Sequence, residues 1–277
     1  PVGNAKKLRR TLSGVMRKVY PDTPRINNEL IVRKKPSRVI VNARKKLVLG
    51  ILERSGTENL GLEGKTPDVS MFRTVLDQTG LYRSGEETPR YARPRELSDP
   101  GLVKVWSEFE AFFTEPEDYP KAFENLFTQV KRPPYGLRNG LIPIFLAAAF
   151  KAFPNAISLL RDGVYVEDIL PSEIEAIFRT PDRYRLQILG IDEAKTDYLL
   201  GFYRIFTGEE LAEEDRADDL IRTCFEAFQA WKVDLPTAAY YSSKLTKEAR
   251  AFQKAIQADL DPVRLLFSEI PRILGVP

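Results

Sequence analysis

The chain has no histidine among its 277 residues. That excludes Ser-His-Asp and Cys-His catalysis, HExxH zinc sites and the usual proton shuttle near neutral pH. Its one cysteine, Cys224, excludes an intrachain disulfide and a cysteine-rich zinc site. No signal peptide and no apolar run of spanning length is visible, so a cytoplasmic location and no membrane partner are the expectation. The chain starts at Pro1 and not at Met, which reads as a piece of a longer protein. It shows no internal repeat and no low-complexity tract.

What is present is enough for a core. The hydrophobic fraction is 43% with sixteen Phe, well outside the composition of disordered chains. The net charge of +3 conceals an asymmetry. Residues 1–55 carry fifteen Lys or Arg against Asp22, Glu29 and Glu53, a local +12, which leaves −9 for residues 56–277. Such a split points to a polyanionic partner or an acidic partner surface for the N-terminal part.

The chain is organised around Pro133-Pro134-Tyr135-Gly136-Leu137-Arg138-Asn139-Gly140 and the apolar run 141–150 behind it. Two prolines enforce an extended approach, and Gly136 and Gly140 allow tight backbone geometry. Pro143 suits a first helical turn, and a helix apolar on every side has to be buried. Around it the spacing predicts further helices. Residues 5–19 form a basic one with Leu8, Leu12, Val15 and Val19 on a narrow stripe. Ser37 caps another to about Arg54, with Ile40, Ala43, Leu47 and Ile51 inward. Pro67, Pro100 and Pro171 open three more, at 67–76, 100–113 and 171–178, and residues 119–130, 192–207, 217–231 and 245–258 are helical. Asp162-Gly163 between 157–160 and 164–167 predicts a hairpin, with a third strand at 184–189. Residues 83–100 read as a surface linker, which divides the chain into a basic helical region, 1–95, and a winged-helix-like and helical-bundle region, 96–277. The fold class is mainly α, with an embedded winged-helix-like module of one small β-hairpin and one further strand.

Several phrases occur together: TPRINNELIVRKKPS (23–37), ARKKL (43–47), LGLEG (60–64), TGLYR (79–83), PPYGLRNGLIPIFLAAAF (133–150), LLRDGVYVEDI (159–169) and DPVRLLFSEIPRILG (261–275). In combination they resemble the C-terminal part of large bacterial P-loop ATPases of phage-defence and restriction-associated loci, over nearly the whole chain. The resemblance implies an ATPase core upstream and a region here without its own motor or cofactor. None of the phrases is an established catalytic motif, so the resemblance assigns no catalytic residue.

Four patterns remain as chemistry. Gly64-Lys65-Thr66 lacks the first glycine of a P-loop, since position 59 is Asn59, and no buried strand precedes it. Asp182, Glu193 and Lys195 match the spacing of a PD-(D/E)xK nuclease, two carboxylates for Mg²⁺ and a lysine beside the attacking water, although Asp192-Glu193 also suit the acidic first turn of a helix. The acidic residues 209–219 lack the order of an EF-hand. The basic residues Arg9, Arg10, Arg17, Lys18, Lys34, Arg38, Arg44, Lys45 and Lys46 could track a phosphate backbone or dock on an acidic domain. No aromatic interleaves with them before Tyr20, which argues against stacking on single strands. The expected function is a non-catalytic accessory region contacting DNA or its ATPase core; a metal-dependent nuclease and a protein adaptor are the alternatives.

Overall fold

The structure, a computed structural model, describes residues 5–33, 35–117, 119–153, 157–188, 193–211, 220–242, 244–258 and 262–275. It is mainly helical and forms two compact units, the first from residues 1–115, 121–153 and 168–184, the second from 116–120, 154–167 and 185–277.

In the first unit, α1 spans Ala5–Val19 and α2 Glu29–Val32. Helix α3, Arg38–Glu53, starts where Ser37 Oγ accepts the Ile40 N–H. Helix α4, Pro67–Phe72, runs on into a π turn over Arg73–Asp77. The stretch expected to be a linker is folded. Strands β1 (Tyr82–Arg83) and β2 (Arg90–Tyr91) pair antiparallel with Tyr82 opposite Tyr91. Its many charges satisfy one another, with Arg90 2.6 Å from Glu86 and 2.9 Å from Glu96. Helix α5, Pro100–Thr114, is capped by Asp99, whose Oδ1 accepts the Leu102 N–H at 2.7 Å. Strand β3 (Lys121–Ala122) precedes α6, Phe123–Lys131. Helices α7, Ile142–Ala152, and α8, Pro171–Arg179, complete the unit.

Helix α7 is the buried axis that its composition predicts. Every residue of 141–150 is buried, and α3, α5 and α8 pack around it. The ring of Phe145 meets those of Trp106 and Phe109 edge-on at 5.9 Å, and Phe150 meets Phe113 at 4.8 Å. Aromatic pairs of this geometry add to the area they bury. Trp106 Nε1 donates to the Ala92 carbonyl at 2.9 Å, which ties the β1–β2 hairpin to the same core.

The glycines of the 133–140 stretch have a definite use. The segment from Tyr20 to Ile31 lies on the body of the unit where three glycines make room for it. A Cβ on Gly101 would stand 2.6 Å from the Thr23 carbonyl oxygen, and one on Gly136, where φ is +64°, 2.6 Å from the Tyr20 ring. One on Gly140 would collide with the Ile31 backbone. Hydrogen bonds hold the segment in this seat. The Asp22 N–H donates to the Pro134 carbonyl at 3.1 Å and the Thr23 hydroxyl to the Tyr135 carbonyl at 2.6 Å. Asn28 accepts from the Leu30 N–H and donates to Thr74 Oγ1 at 2.7 Å, on the π turn.

In the second unit the Asp162-Gly163 turn takes positive φ at both residues and joins β4 (Ile157–Arg161) to β5 (Val164–Tyr165), with Leu160 opposite Tyr165. Strand β6, Tyr184–Ile188, lies on the other side of β4. The helices are α9 (Glu193–Thr207), α10 (Leu220–Asp234), α11 (Thr237–Tyr241), α12 (Lys247–Gln257), α13 (Pro262–Arg264) and, after a π turn over Leu265–Glu269, α14 (Ile270–Leu274). Leu199, Phe202, Cys224, Phe225, Phe228 and Leu266 are its core, and the Tyr198 hydroxyl donates to the Leu266 carbonyl at 2.7 Å. Among the described residues no helix is long and apolar enough to cross a membrane.

Candidate nucleic-acid interface

Helix α1 buries none of its residues. Lys6, Lys7, Arg9, Arg10, Arg17 and Lys18 lie on it and no acid does. At about 100° per residue, Lys6, Arg10 and Arg17 lie opposite the stripe of Leu8, Leu12, Val15 and Val19, and Lys7, Arg9 and Lys18 flank it. The apolar stripe is exposed as well, with Leu12 at 53% and Val15 at 50%. Among the described residues, Lys6, Arg9, Arg10 and Lys18 form no ion pair. The helix therefore presents charge to its surroundings that its own unit does not neutralise. Arg17 and Lys18 also stand in its last turn, where the helix dipole favours cations.

The other basic positions separate on inspection. Arg38 is exposed and Lys45 half-buried on α3. Lys34 lies outside the described residues. Lys46 is committed at 2.8 Å to the buried carboxylate of Asp68. Burial alone raises the Asp68 pKa, but the Lys46 ammonium, the Thr66 hydroxyl and the Asp68 backbone N–H together hold it below the ordinary carboxylate value. Arg44 leaves the surface set altogether. It is 7% exposed, its Nε and Nη2 donate to the two oxygens of Glu175 at 2.8 and 2.7 Å, and its guanidinium lies 5.6 Å from the Phe178 ring. Spacing on α3 put Arg44 beside Lys45 in sequence, but adjacent residues on a helix point about 100° apart, and Arg44 falls on the side with Leu47 and Ile51.

The structure adds two cations that sequence reasoning passed over. Arg132 and Arg138 are exposed on the loop whose carbonyls receive Asp22 and Thr23. That loop supports the foot of α1, where the Tyr20 N–H donates to the Met16 carbonyl at 2.8 Å. Their signal in the sequence was only their place beside Pro133-Pro134 and Gly136. Tyr135, in the same loop, donates its hydroxyl to Glu108. That hydrogen bond, with burial second, pushes the phenol up to about 12.

The residues of the nuclease pattern lie on two different elements. Asp182 is exposed in a 3₁₀ turn over Pro181–Arg183 of the first unit, while Glu193, exposed, and Lys195, half-buried, open α9 of the second. Residues 189–192 between them lie outside the described residues, as do 212–219 of the acidic run. Among the described residues no group of three or more Cys, Asp or Glu is placed to hold a metal ion. The Gly64-Lys65-Thr66 loop leads into a helix that starts at Pro67, which has no N–H to offer a phosphate, and whose Asp68 is paired with Lys46. No family model, no curated protein and no solved structure matches the chain.

Proposed function

We propose that the chain is a non-catalytic accessory module that holds duplex nucleic acid by its phosphate backbone, and that it serves as the C-terminal region of a larger phage-defence ATPase. One observation carries the binding role: α1 displays six cations and no acid while burying none of its residues. A cationic face of this kind neutralises phosphates and releases counterions, which gives affinity without sequence information. Arg38 and Lys45 on α3, with Arg132 and Arg138, extend the set. The winged-helix-like order of helix, helix and hairpin belongs to this proposal as an interaction unit and not as a reader of bases. The helix that would enter a groove, 141–150, is wholly buried, and base readout needs polar side chains at the groove floor.

The test is a binding titration of duplex DNA of several sequences at a series of salt concentrations. The expected dissociation constant is on the order of 10⁻⁴–10⁻⁶ M at physiological salt, equal across sequences. Reversing Arg9, Arg10 and Arg17 to Glu should flatten the salt dependence by a slope of roughly 3. No binding even at low salt would sink this reading in favour of docking on an acidic protein domain. Mg²⁺-dependent cleavage that disappears in Glu193→Ala would replace it with the nuclease. ATP hydrolysis by the purified chain would overturn the assignment of the motor to another part of the protein.

A further inference from the structure

The second unit carries an open apolar groove of about 510 Å³ between α9, α12 and α14. Phe202, Phe206 and Phe252 form its floor, and Ile205 and Leu274 stand on its rim with 78% and 62% of their surfaces exposed. A Cβ on Gly201 would meet nothing within 4 Å, so the α9 side of the groove has no side chain filling it at its midpoint. Among the described residues the charged groups on its walls are Asp197 and Glu248, and no cation lines it. A groove with aromatic depth, aliphatic rims and acidic flanks is shaped for an amphipathic helix with an apolar stripe and basic shoulders.

The chain itself contains such a helix with nothing on its stripe. On α1, Leu8, Leu12, Val15 and Val19 fall within about 60° of one another, counted at 100° per residue. Arg9 borders that stripe on one side and Lys7 and Lys18 on the other, while Lys6, Arg10 and Arg17 point away from it. We propose that the α9–α12–α14 groove receives α1 of a second copy of this chain. The apolar stripe would seat on Phe202, Phe206 and Phe252, with the shoulder cations facing Asp197 and Glu248. Each copy has both a helix and a groove, so we take the exchange as reciprocal, a two-fold dimer with two identical helix-in-groove contacts; an open series growing with concentration would overturn that closure. The outward cations Lys6, Arg10 and Arg17 stay free for a polyanion, so the dimer is compatible with the binding role above but does not rest on it. An anionic membrane is the competing surface for a basic amphipathic helix. Interfacial helices of that type anchor with aromatic residues, and α1 has none.

The experiment is sedimentation velocity on the purified chain over a concentration series, beside two variants that leave the charge of α1 unchanged. One carries Leu12→Gln with Val15→Gln, and the other Ile205→Lys. All three positions are exposed, so the fold should persist, and circular dichroism checks that it does. The expected result is a dimer for the parent and a dissociation constant raised at least about tenfold for each variant alone. Mixing the two variants should give a one-to-one heterodimer tighter than either variant's own dimer and weaker than the parent's, because one contact joins an intact helix to an intact groove while the other carries both changes. A parent that stays monomeric at about 100 μM, or a dimer indifferent to both variants, overturns the proposal. So does an α1 variant whose only defect is loss of sedimentation with phosphatidylserine vesicles.

Discussion

Arg44 and Glu175, 131 positions apart in sequence, face each other as a bidentate ion pair in the interior of the first unit, with donor–acceptor distances of 2.8 and 2.7 Å. The pair fastens α3 to α8, and Phe178 covers the guanidinium from the α8 side. Removing one partner leaves the other charged and buried, which is far more costly than losing the pair as a whole.

Arg44→Ala and Glu175→Ala should each destabilise the first unit by about 3–5 kcal/mol. The double variant Arg44→Met, Glu175→Leu should recover most of that loss. Urea unfolding measures both, and single variants that cost less than about 1 kcal/mol would place the pair in water instead.

Glu96 is held down to about 2 by the Arg90 guanidinium first and by the Arg93 backbone N–H second. A carboxylate depressed in the folded state supports the fold above its unfolded value of about 4.3 and loses that support as pH falls through its folded value. Carbon-detected NMR titration should find the Glu96 midpoint near 2. Arg90→Gln should move the midpoint upward, and an unmoved midpoint would detach the shift from this pair.

Burial pushes the phenols of Tyr82 and Tyr198 up to about 12. Unfolded tyrosine ionises near 10, so the folded state binds more protons between about 10 and 12 and loses stability as pH rises through that window. Below it these groups contribute no slope. Phenolate absorbance should therefore show a late class titrating near 12 in the folded chain that moves to about 10 in denaturant. A single class near 10 in both states would refute the burial.

Two glycines should respond to alanine with opposite sign. Gly101→Ala thrusts a methyl into the Thr23 carbonyl and should cost about 1–3 kcal/mol. Gly14→Ala sits inside α1 with nothing within 4 Å of the new atom and should raise the helicity of α1, worth up to about 1 kcal/mol. Thermal unfolding and far-ultraviolet circular dichroism of the two variants check the pair.

Periodicity made the helices legible. The apolar residues of 141–150 announced a buried axis, Asp162-Gly163 announced the hairpin, and the tail helices carried their inward faces openly. Composition misled at 83–100, where a run of Arg, Glu and Pro looks like a solvated linker. There Arg90 pairs with Glu86 in the connecting loop and with Glu96 in the following turn, and Arg83 reaches both, so the charges neutralise one another inside a folded hairpin, which composition does not display. The exposed cations of α1 were legible, since they need only the helix to be displayed. The burial of Arg44 was illegible, because the carboxylate that draws it inward sits on a helix 131 positions away. The stripe on α1 was visible, but not that its own unit would leave it bare.

The seat under Tyr20–Ile31 divides mutational freedom unequally between the two strands of chain that meet there. At positions 22 and 23 the closest approach to Gly101 is made by carbonyl oxygens, which every amino acid possesses. That part of the contact is indifferent to side-chain identity, although the Thr23 hydroxyl keeps its own bond to the Tyr135 carbonyl. Gly101 and Gly140 have no such latitude, since any larger residue brings its first carbon into that backbone. The permanence of the joint at the foot of α1 thus resides in hydrogen atoms where other residues have carbon.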